Sequence, residues 1–306
     1  MTKVSIIIAT RNRCGILPRA VESARRAGTD VEIVIVDDAS DDRTQDVCEA
    51  WSDIRYVRAR RRQGPGGARN LGLIASTSEY ISFLDDDDLR LPGSLDAQVN
   101  LLEAYPEAGM SYGRALFGDE ECRPKGGFYP SFCPHGDVFQ ELLQWNFIPC
   151  PSVVFRRACI RRIGLLDEEA TGLEDWDLWV RIAELYPVIA VAEAVAIWRQ
   201  PTFTSDQFTA RPEKLHLTAR RLHREKWLGL PRSSQLHARV RRDIAHAYAG
   251  HVSDQLIWEA AARIKARRLR DSARVIRTLL EMHPLVGSKK ALSTATFRFL
   301  KAARRA

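Results

Sequence analysis

Tyr80-Ile81-Ser82-Phe83-Leu84-Asp85-Asp86-Asp87-Asp88 is the stretch of sequence that decides the fold. Its first part predicts a short buried strand, and four carboxylates follow where that strand ends. Adjacent carboxylates repel one another, but a hard cation such as Mg²⁺ or Mn²⁺ neutralises them, and Mg²⁺ is usually held by carboxylates together with substrate phosphates. Taken alone, the stretch fits a metal-diphosphate site and a solvated acidic turn that caps a helix at Pro92 equally well.

The sequence before this stretch alternates between strand and helix patterns. Continuous β-branched runs at residues 4–9 and 31–36 predict strands that are covered on both faces of a parallel sheet. A third, shorter strand is predicted at residues 54–58 and a fourth at residues 80–84, with helical spacing between the strands. The alternation predicts an α/β domain whose mostly parallel, Rossmann-like sheet is flanked by helices.

Three polar motifs follow the predicted strands. They are Thr10-Arg11-Asn12, Asp37-Asp38 and the acidic residues 85–88. In open α/β sheets, ligands bind at the carboxyl ends of the strands. Three such motifs at one edge of the sheet favour a binding site over three unrelated loops.

Asp37-Asp38 and the glycine-rich segment at residues 64–72 are candidate ligand contacts. A carboxylate of Asp37-Asp38 can accept hydrogen bonds from a nucleobase imide or a ribose hydroxyl, or it can cap the next helix. Residues 66–70 open a helix, where glycines allow close backbone approach and the helix N-terminus favours anions. Arg69 is therefore a predicted contact to a diphosphate or a base.

Glu174-Asp175 begins a predicted helix after Gly172. A carboxylate at this position can act as a general base, or it can interact with the helix dipole, because acids are favoured in the first turn. Trp176 and Trp179 follow on the same helix; such tryptophans line acceptor pockets or lie in the core.

The remaining sequence gives weaker patterns. Between Pro92 and Gln207 it predicts helices at residues 95–105, 137–145 and 173–183, strands at residues 109–113, 152–155 and 188–198, and a loop at residues 118–134. Residues 245–284 predict a helix-turn-helix unit that loosely resembles a tetratricopeptide hairpin. A single unit of this kind cannot bury its own face, so we expect it to dock on the first domain.

Charge divides the chain near Gln207. Residues 1–206 carry 23 Lys and Arg against 32 Asp and Glu, whereas residues 207–306 carry 23 against 7, a net charge of +16. The shift predicts a first domain at residues 1–206 and a helical, Arg-rich C-terminal region at residues 207–306. It also predicts an acidic partner for that region: an anionic membrane face, a phosphorylated acceptor or nucleic acid.

Several classes of protein are disfavoured. No apolar run reaches the length of a membrane span, and the N-terminus reads as a core strand and not as a signal peptide. The six cysteines form no C-x-x-C pair, which predicts reduced, mostly buried thiols in a cytoplasm. No G-x-S-x-G element is present, and the histidines have no metal or triad spacing.

The ordered set of motifs closely resembles glycosyltransferase family 2, which has the GT-A fold. The resemblance covers about residues 3–200 and rests on five motifs in order, which makes it far more specific than any one of them. These motifs are residues 4–13, Val36-Asp37-Asp38-Ala39-Ser40, residues 67–72, Phe83 to Asp88, and residues 172–179.

The resemblance implies a nucleotide-sugar donor, first of all a UDP-sugar, and inversion at the anomeric carbon. Asp38 matches the aspartate that binds the base, and Arg69 matches a donor contact. Asp85-Asp86-Asp87 matches the D-x-D motif, in which Asp87 would bind Mg²⁺ or Mn²⁺, Asp85 would assist and Asp86 would lie near the ribose. Asp175 matches the family's catalytic base.

The sequence departs from the family pattern at two places. At the position of Arg11, family members often carry an aromatic residue that stacks on the base. In this chain the guanidinium of Arg11 would stack on the base instead, and Thr10 would lie beside it. Members also often carry a histidine after the last core strand, where this chain has Gln200-Pro201. Glu174 and Trp176 are expected to support the base or to line the acceptor site.

The leading hypothesis is an inverting, metal-dependent hexosyl- or N-acetylhexosaminyl-transferase. Its acceptor would be a glycan, a lipid-linked intermediate or a small molecule with a hydroxyl group. We expect it in the cytoplasm, with peripheral membrane contact through residues 207–306, in cell envelope polysaccharide synthesis.

Three alternatives remain. A sugar nucleotidyltransferase would need a Gly-rich first loop with a lysine, where this chain has Thr10-Arg11-Asn12-Arg13. A degenerate scaffold protein would not need intact carboxylates. A nucleic-acid binder would need more aromatic residues in the basic region, so no specific nucleic acid is expected.

Overall fold

The computed structural model describes residues 3–202, 207 and 210–282. The chain forms two compact units, one of residues 1–142 and 146–200 and the other of residues 143–145 and 201–306. The division into domains at residues 1–206 and 207–306 stays a prediction.

The first unit is built on four parallel strands. They are β1 (Val4–Thr10), β2 (Val31–Asp37), β3 (Ile54–Arg58) and β4 (Tyr80–Asp85), in the spatial order β3-β2-β1-β4. The four predicted strands are therefore confirmed, each to within one residue at its ends. Because they are parallel, the polar residues that follow β1, β2 and β4 lie at one edge of the sheet.

The sheet continues beyond β4 with strands of mixed direction. They are β5 (Leu89–Arg90), β6 (Met110–Gly118), β7 (Pro124–Tyr129), β8 (Val154–Arg156) and β9 (Val188–Arg199). β8 is antiparallel to β4 and to β6, β6 is parallel to β9, and β5 is antiparallel to β9. β7 pairs with β6 alone. The pairing of β9 with β5 brings the end of the last strand beside the acidic residues that follow β4.

Helices cover both faces of the sheet, as predicted for an α/β fold. Side chains of β1 that include Ile6 and Ile8 pack in one core cluster with Leu17, Leu95 and Leu102. On the opposite face, Phe83 packs against Trp179. The helices of this unit are α1 (Leu17–Arg26), α2 (Thr44–Glu49), α3 (Gly64–Ala75), α4 (Ser94–Ala104), α5 (Phe139–Leu142), α6 (Arg157–Ile163) and α7 (Glu174–Leu185).

The structure corrects the sequence prediction in one region and adds elements in others. The loop predicted at residues 118–134 is wrong, because β7 lies within it. Most of β7 is exposed and contains Gly126-Gly127, so it lacks the alternating pattern of a half-buried strand. β5 and α6 had no sequence prediction.

The second unit is helical in the described residues. It contains α8 (Pro212–Glu225), α9 (Pro231–Gln235), α10 (Ala238–Lys265) and α11 (Leu269–Met282). α10 and α11 form the predicted helix-turn-helix, although α10 begins before residue 245 and Pro284 lies outside the described residues. Among the described helices, none is long and apolar enough to cross a membrane. All six cysteines are free and four of them are buried.

Gly72 lets α3 approach the sheet closely. A Cβ atom at this position would overlap the side chain of Ile7 on β1 and would lie 3.2 Å from Cγ2 of Val36 on β2. Core packing of this density leaves no room for an added methyl group. The close approach places Arg69, one turn earlier on α3, near the end of β4.

Gly72→Ala should destabilise the protein by about 1–3 kcal/mol, because overpacking a dense core forces side chains and backbone to shift. This cost exceeds the gain of about 1 kcal/mol that Ala brings to a helix interior. Urea unfolding measures the difference. Gly15→Ala is the control, since its Cβ would meet no atom within 4 Å. Equal stability of the Gly72→Ala protein and the wild type would contradict the close approach.

Candidate active site

The predicted site residues come from five places in the first unit. These are the end of β1, the turn after β2, the first turns of α3, the end of β4 with the residues after it, and the first turn of α7. Two groups of ion pairs connect these places, except the turn after β2, which contacts α3 through hydrogen bonds. We call these groups the Arg69 cluster (Arg69, Asp85 and Glu174) and the Arg199 cluster (Asp86, Asp87, Arg13 and Arg199).

The Arg69 cluster joins β4, α3 and α7. Nη2 of Arg69 donates to Oδ1 of Asp85 at 2.5 Å, and Nη1 donates to Oε1 of Glu174 at 2.5 Å. The guanidinium carbon also lies 5.5 Å from the ring centre of Phe83. Arg69 and Glu174 are both buried. A buried guanidinium shared by two carboxylates satisfies charges that would otherwise be costly to bury.

Within the described residues, Glu174 uses only one of its two carboxylate oxygens, Oε1, for a hydrogen bond. Oε2 is buried and has no hydrogen-bond partner among the described residues. Buried polar atoms are nearly always paired in folded proteins, so an unpaired one at a site calls for a ligand or a water molecule. The predicted support role of Glu174 stays a prediction, and this atom is consistent with it.

Asp175 stands next to Glu174 and is partly buried. Its Oδ1 accepts a hydrogen bond from the backbone N–H of Trp176 at 2.6 Å. Burial and then the Glu174 charge raise the pKa of Asp175 to about 7, against the opposing effect of Arg69. A carboxyl group with a pKa near neutrality can accept a proton at working pH and release it again.

The Arg199 cluster neutralises the middle of the acidic stretch. Thr10 Oγ1 donates to Asp86 Oδ2 at 2.7 Å, and Arg13 Nη1 donates to Asp86 Oδ1 at 2.6 Å. Arg199 Nη2 donates to Asp87 Oδ2 at 2.6 Å, and Arg13 Nη1 lies 3.3 Å from the same oxygen. Each of these two carboxylates is thus paired with an arginine.

Burial shifts the pKa of two acidic residues of the stretch, Asp86 and Asp88. Burial raises the pKa of Asp86 to about 6, with Arg13 opposing and Asp87 adding to the rise. Burial and the charges of Asp87 and Asp85 raise the pKa of Asp88 well above its ordinary value. Asp88 Oδ1 accepts the backbone N–H of Arg199 at 2.8 Å. Burial thus makes Asp86 and Asp88 harder to ionise than an exposed aspartate.

The turn after β2 holds Asp37 and Asp38 in different roles. Asp37 is fully buried and accepts hydrogen bonds from Tyr56 and Arg58. Asp38 accepts the backbone N–H groups of Gln63 at 2.5 Å and Gly64 at 2.9 Å, at the start of α3. The turn therefore caps α3 and not the next helix along the chain. Its role toward a ligand stays a prediction.

Arg11 and the two tryptophans of α7 belong to neither cluster. Arg11 is partly exposed, and its Nη2 lies 3.9 Å from Asp41 Oδ2. Trp176 is buried and donates from Nε1 to the carbonyl of Leu142 at 2.8 Å. Trp179 is fully buried between Phe83 and Phe155. Of the two readings left open for Trp179, the core position is confirmed.

Three residues that sequence reasoning did not select help to build the site. Arg13 and Arg199 form the Arg199 cluster. The amide of Asn70 bonds both the N–H and the carbonyl of Leu166, which fixes the chain before α7. Asn70 lies within the motif at residues 67–72, directly after Arg69. This position was the sequence signal that could have identified it as a site residue.

The residues present fit a divalent cation held jointly with a diphosphate. In the part of the chain that the structure describes, no group of three or more His, Cys, Asp or Glu could hold a metal ion. Asp85 and Asp87 each use one oxygen for an arginine, and within the described residues their other oxygens accept no hydrogen bond. Two carboxylates completed by substrate phosphates are the usual ligands of Mg²⁺ in such sites.

Comparison with known sequences gives one family. Residues 5–163 match the sequence model described as Glycosyl transferase family 2. An uncharacterized glycosyltransferase of Rickettsia felis is 31% identical over 189 residues, which are 60% of this chain and 30% of that protein. The succinoglycan biosynthesis protein ExoO of Rhizobium meliloti is 38% identical over 104 residues, 33% of this chain and 30% of that protein. The matched region thus spans about a third of the length of these relatives.

Solved structures share the fold. Residues 1–349 of S. aureus TarS in complex with UDP-GlcNAc align with a TM-score of 0.65 at 17% identity, covering 99% of this chain and 88% of that one. The mannosyltransferase PcManGT from Pyrobaculum calidifontis, in complex with GDP-Man and Mn²⁺, aligns with a TM-score of 0.58 at 19% identity, covering 99% and 86%. The likeness confirms the predicted GT-A fold.

Asp175→Asn should stabilise the protein more at about pH 8 than at about pH 5. The pKa of Asp175 is raised in the folded state, so its ionisation above pH 7 costs folding free energy that is absent below the ordinary pKa of an aspartate. The variant removes this cost, which we expect to be about 1 kcal/mol or more at the higher pH. Urea unfolding at both pH values measures it. Asp41→Asn, at a side chain that is 84% exposed, is the control and should show no such difference.

Proposed function

Because the chain belongs to glycosyl transferase family 2, we propose that it transfers a sugar from a nucleotide-sugar donor to a hydroxyl group of an acceptor, with inversion at the anomeric carbon. The observation that carries the proposal is Asp175, a carboxyl group with a pKa of about 7 beside the Arg69 cluster. This carboxyl group lies next to a sheet edge rich in charged groups, which supports a role as proton acceptor.

The nucleotide would bind along the ends of β1 and β2. Asp38, fixed by two backbone N–H groups, would accept a hydrogen bond from the base imide through a remaining lone pair. The partly exposed guanidinium of Arg11 would stack on the base. Thr10 and Arg13 hold Asp86, whose carboxylate would accept a ribose hydroxyl.

The diphosphate would lie near Asp85 and Asp87, with Arg69 supplying positive charge. These two carboxylates would hold Mg²⁺ or Mn²⁺, which when bound would neutralise the diphosphate that leaves. Arg69 keeps Asp85 in place through its Nη2 contact. Donor binding and the position of Glu174 are therefore linked through one guanidinium.

Asp175 would accept the proton of the attacking acceptor hydroxyl. The acceptor oxygen forms a bond to the anomeric carbon as the bond from that carbon to the phosphate oxygen breaks, and the electron pair leaves with the nucleoside diphosphate. Burial and then the neighbouring Glu174 carboxylate raise the pKa of Asp175, which makes Asp175 a stronger base than an ordinary aspartate.

We propose a UDP-sugar as donor, with a hexose or an N-acetylhexosamine as the sugar transferred. The acceptor is a glycan or a lipid-linked intermediate at the cytoplasmic face of a membrane. The complex of TarS with UDP-GlcNAc supports a uridine nucleotide, and the complex of PcManGT makes a GDP-sugar the alternative to test.

The test combines binding with turnover. UDP, dTDP and GDP are titrated with and without Mn²⁺, and release of free nucleotide is measured with a panel of nucleotide sugars. Asp87→Ala should lose metal-dependent nucleotide binding, because it removes a metal ligand. Asp175→Asn should bind nucleotide like the wild type. Its rate of nucleotide production from the donor should fall by about 100-fold or more, because it lacks the base.

Asp46→Asn is the control, an exposed acid on α2, and should behave like the wild type in both assays. If no nucleotide binds with Mn²⁺ present, the proposed function is wrong and a scaffold role takes its place. If Asp175→Asn retains wild-type turnover with a working donor, Asp175 is not the base.

A further inference from the structure

α11 in the second unit carries apolar side chains on two neighbouring faces, whose centres are about 100° apart around the helix. One face is buried: Val275 and Leu279 are almost fully covered, and Ser272 Oγ donates to the carbonyl of Ala260 on α10 at 2.9 Å. This face accounts for the packing of α11 in its unit. The other apolar face needs a separate explanation.

The second face is an exposed apolar stripe, which we define as Leu269, Ala273, Ile276 and Leu280. These residues recur at the spacing that places them on one side of a helix. Leu269 is 65% exposed, Ile276 41% and Leu280 48%, and Ala273 is exposed as well. A single exposed leucine is ordinary, but a contiguous stripe at helical spacing marks an interaction surface.

A row of arginines runs beside the stripe. Arg270, Arg274 and Arg277 are exposed and each follows a stripe residue by one position, about 100° around the helix. Arg274 lies 3.3 Å from Asp271 and Arg277 lies 2.7 Å from Glu281, but exposed pairs of this kind contribute little. The region around them is strongly basic, since residues 207–306 carry a net charge of +16.

We propose that this face of α11 docks the protein on an anionic lipid surface. A helix with leucines on one side and arginines along the edge lies in the membrane interface, with its apolar side chains between the lipids and its cations at the headgroups. A nucleic acid would pair with the arginines and leave the leucines in water. A second copy of the chain, which is equally basic in this region, would bring no opposite charge to the arginines.

The experiment uses the full-length protein and flotation with two kinds of vesicle, phosphatidylcholine alone and phosphatidylcholine with phosphatidylglycerol. We expect binding to the anionic vesicles that weakens at high salt, and little binding to the neutral ones. The variants L269Q/I276Q/L280Q and R270Q/R274Q/R277Q should each reduce binding by about tenfold or more. Ile74→Gln, at a side chain on α3 that is 71% exposed, is the control and should bind like the wild type.

Three results would overturn the proposal. One is equal binding of the stripe variant and the wild type to anionic vesicles. Another is a large drop in the melting temperature of the stripe variant, which would show that the stripe is covered within the chain. The third is stripe-dependent dimerisation in light scattering, or stripe-dependent binding of duplex DNA, without vesicle binding.

The Arg199 cluster carries a second inference, which rests on the proposed function. Arg199 contacts two acids at once, Asp87 through its side chain at 2.6 Å and Asp88 through its backbone N–H at 2.8 Å. Arg13 lies 3.3 Å from the same oxygen of Asp87, and Asp87 is only 6% exposed. The charge of Asp87 is thus already matched by the protein.

We infer that Arg199 and a divalent cation compete for Asp87. A cation on the remaining oxygen of Asp87 would stand a few ångströms from two guanidinium groups, and like charges repel strongly where water is excluded. Arg199 also orients the carboxylate, and contacts of this kind are worth about 10–100-fold in metal affinity. We expect the repulsion between Arg199 and the cation to outweigh the benefit of orienting Asp87. Without Arg199, the buried charge of Asp87 would lack its nearest partner and would attract the cation more strongly.

Arg199→Gln should therefore bind Mn²⁺ about tenfold more tightly than the wild type in the absence of nucleotide. The signal of free Mn²⁺ in electron paramagnetic resonance measures the affinity. Arg199→Lys keeps the charge, so its Mn²⁺ affinity should stay close to that of the wild type. When Asp87→Asn is also present, Arg199→Gln should no longer change the Mn²⁺ affinity. Circular dichroism establishes that each variant is folded, and Arg13→Gln, which removes the weaker partner, should show a smaller gain.

The inference fails if Arg199→Gln binds Mn²⁺ no more tightly than the wild type while UDP still binds both proteins. That result would leave the proposed function intact and make Arg199 an orienting residue only. Loss of UDP binding by the wild type itself, with Mn²⁺ present, would instead remove the proposed function and this inference with it.

Discussion

The site depends on one buried guanidinium. Arg69 is held by α3 and bonds Asp85 at the end of β4 and Glu174 at the start of α7, so it joins segments that are far apart in the chain. Without this cation, two carboxylates would face each other in a region with little water, which is costly. The position of Asp175 follows from the same contact, because α7 begins at Glu174.

Charge balance explains why so many acids can lie together at the sheet edge. Arg13, Arg69 and Arg199 each contact an acid of the stretch that follows β4. Burial works against this pairing, because it raises the pKa of Asp86 although Arg13 contacts it, and it raises the pKa of Asp88 as well. A ligand that brings both a cation and phosphates can replace some of these internal contacts.

The sequence predicted those parts of the fold whose signals are local. The strands β1 to β4 are short, buried and rich in β-branched residues, so their patterns could be read directly. β5 could not be read, because it is two residues long and exists through its pairing of Leu89 with Ile197. Arg13 and Arg199 were missed for the same reason: nothing near either residue in sequence reveals the acid that it meets. The assignment of Asp175 came from the family resemblance, since an acid in the first turn of a helix is ordinary by itself.

The two parts of the chain differ in net charge, although each is proposed to bind an anionic partner. Residues 1–206 are acidic overall, yet a nucleotide-sugar donor is itself an anion. Net charge acts weakly beyond a Debye length of about 8 Å at physiological salt, so the charges within a few ångströms of the ligand decide binding. The arginines at the sheet edge supply positive charge at that range. The exposed arginines of α11 lie in a basic region where both net and local charge favour an anionic partner. An acidic substitution in α11 would therefore weaken contact with a lipid surface, and by the same screening argument it would leave the ion pairs at the sheet edge unchanged unless it lay within a few ångströms of them.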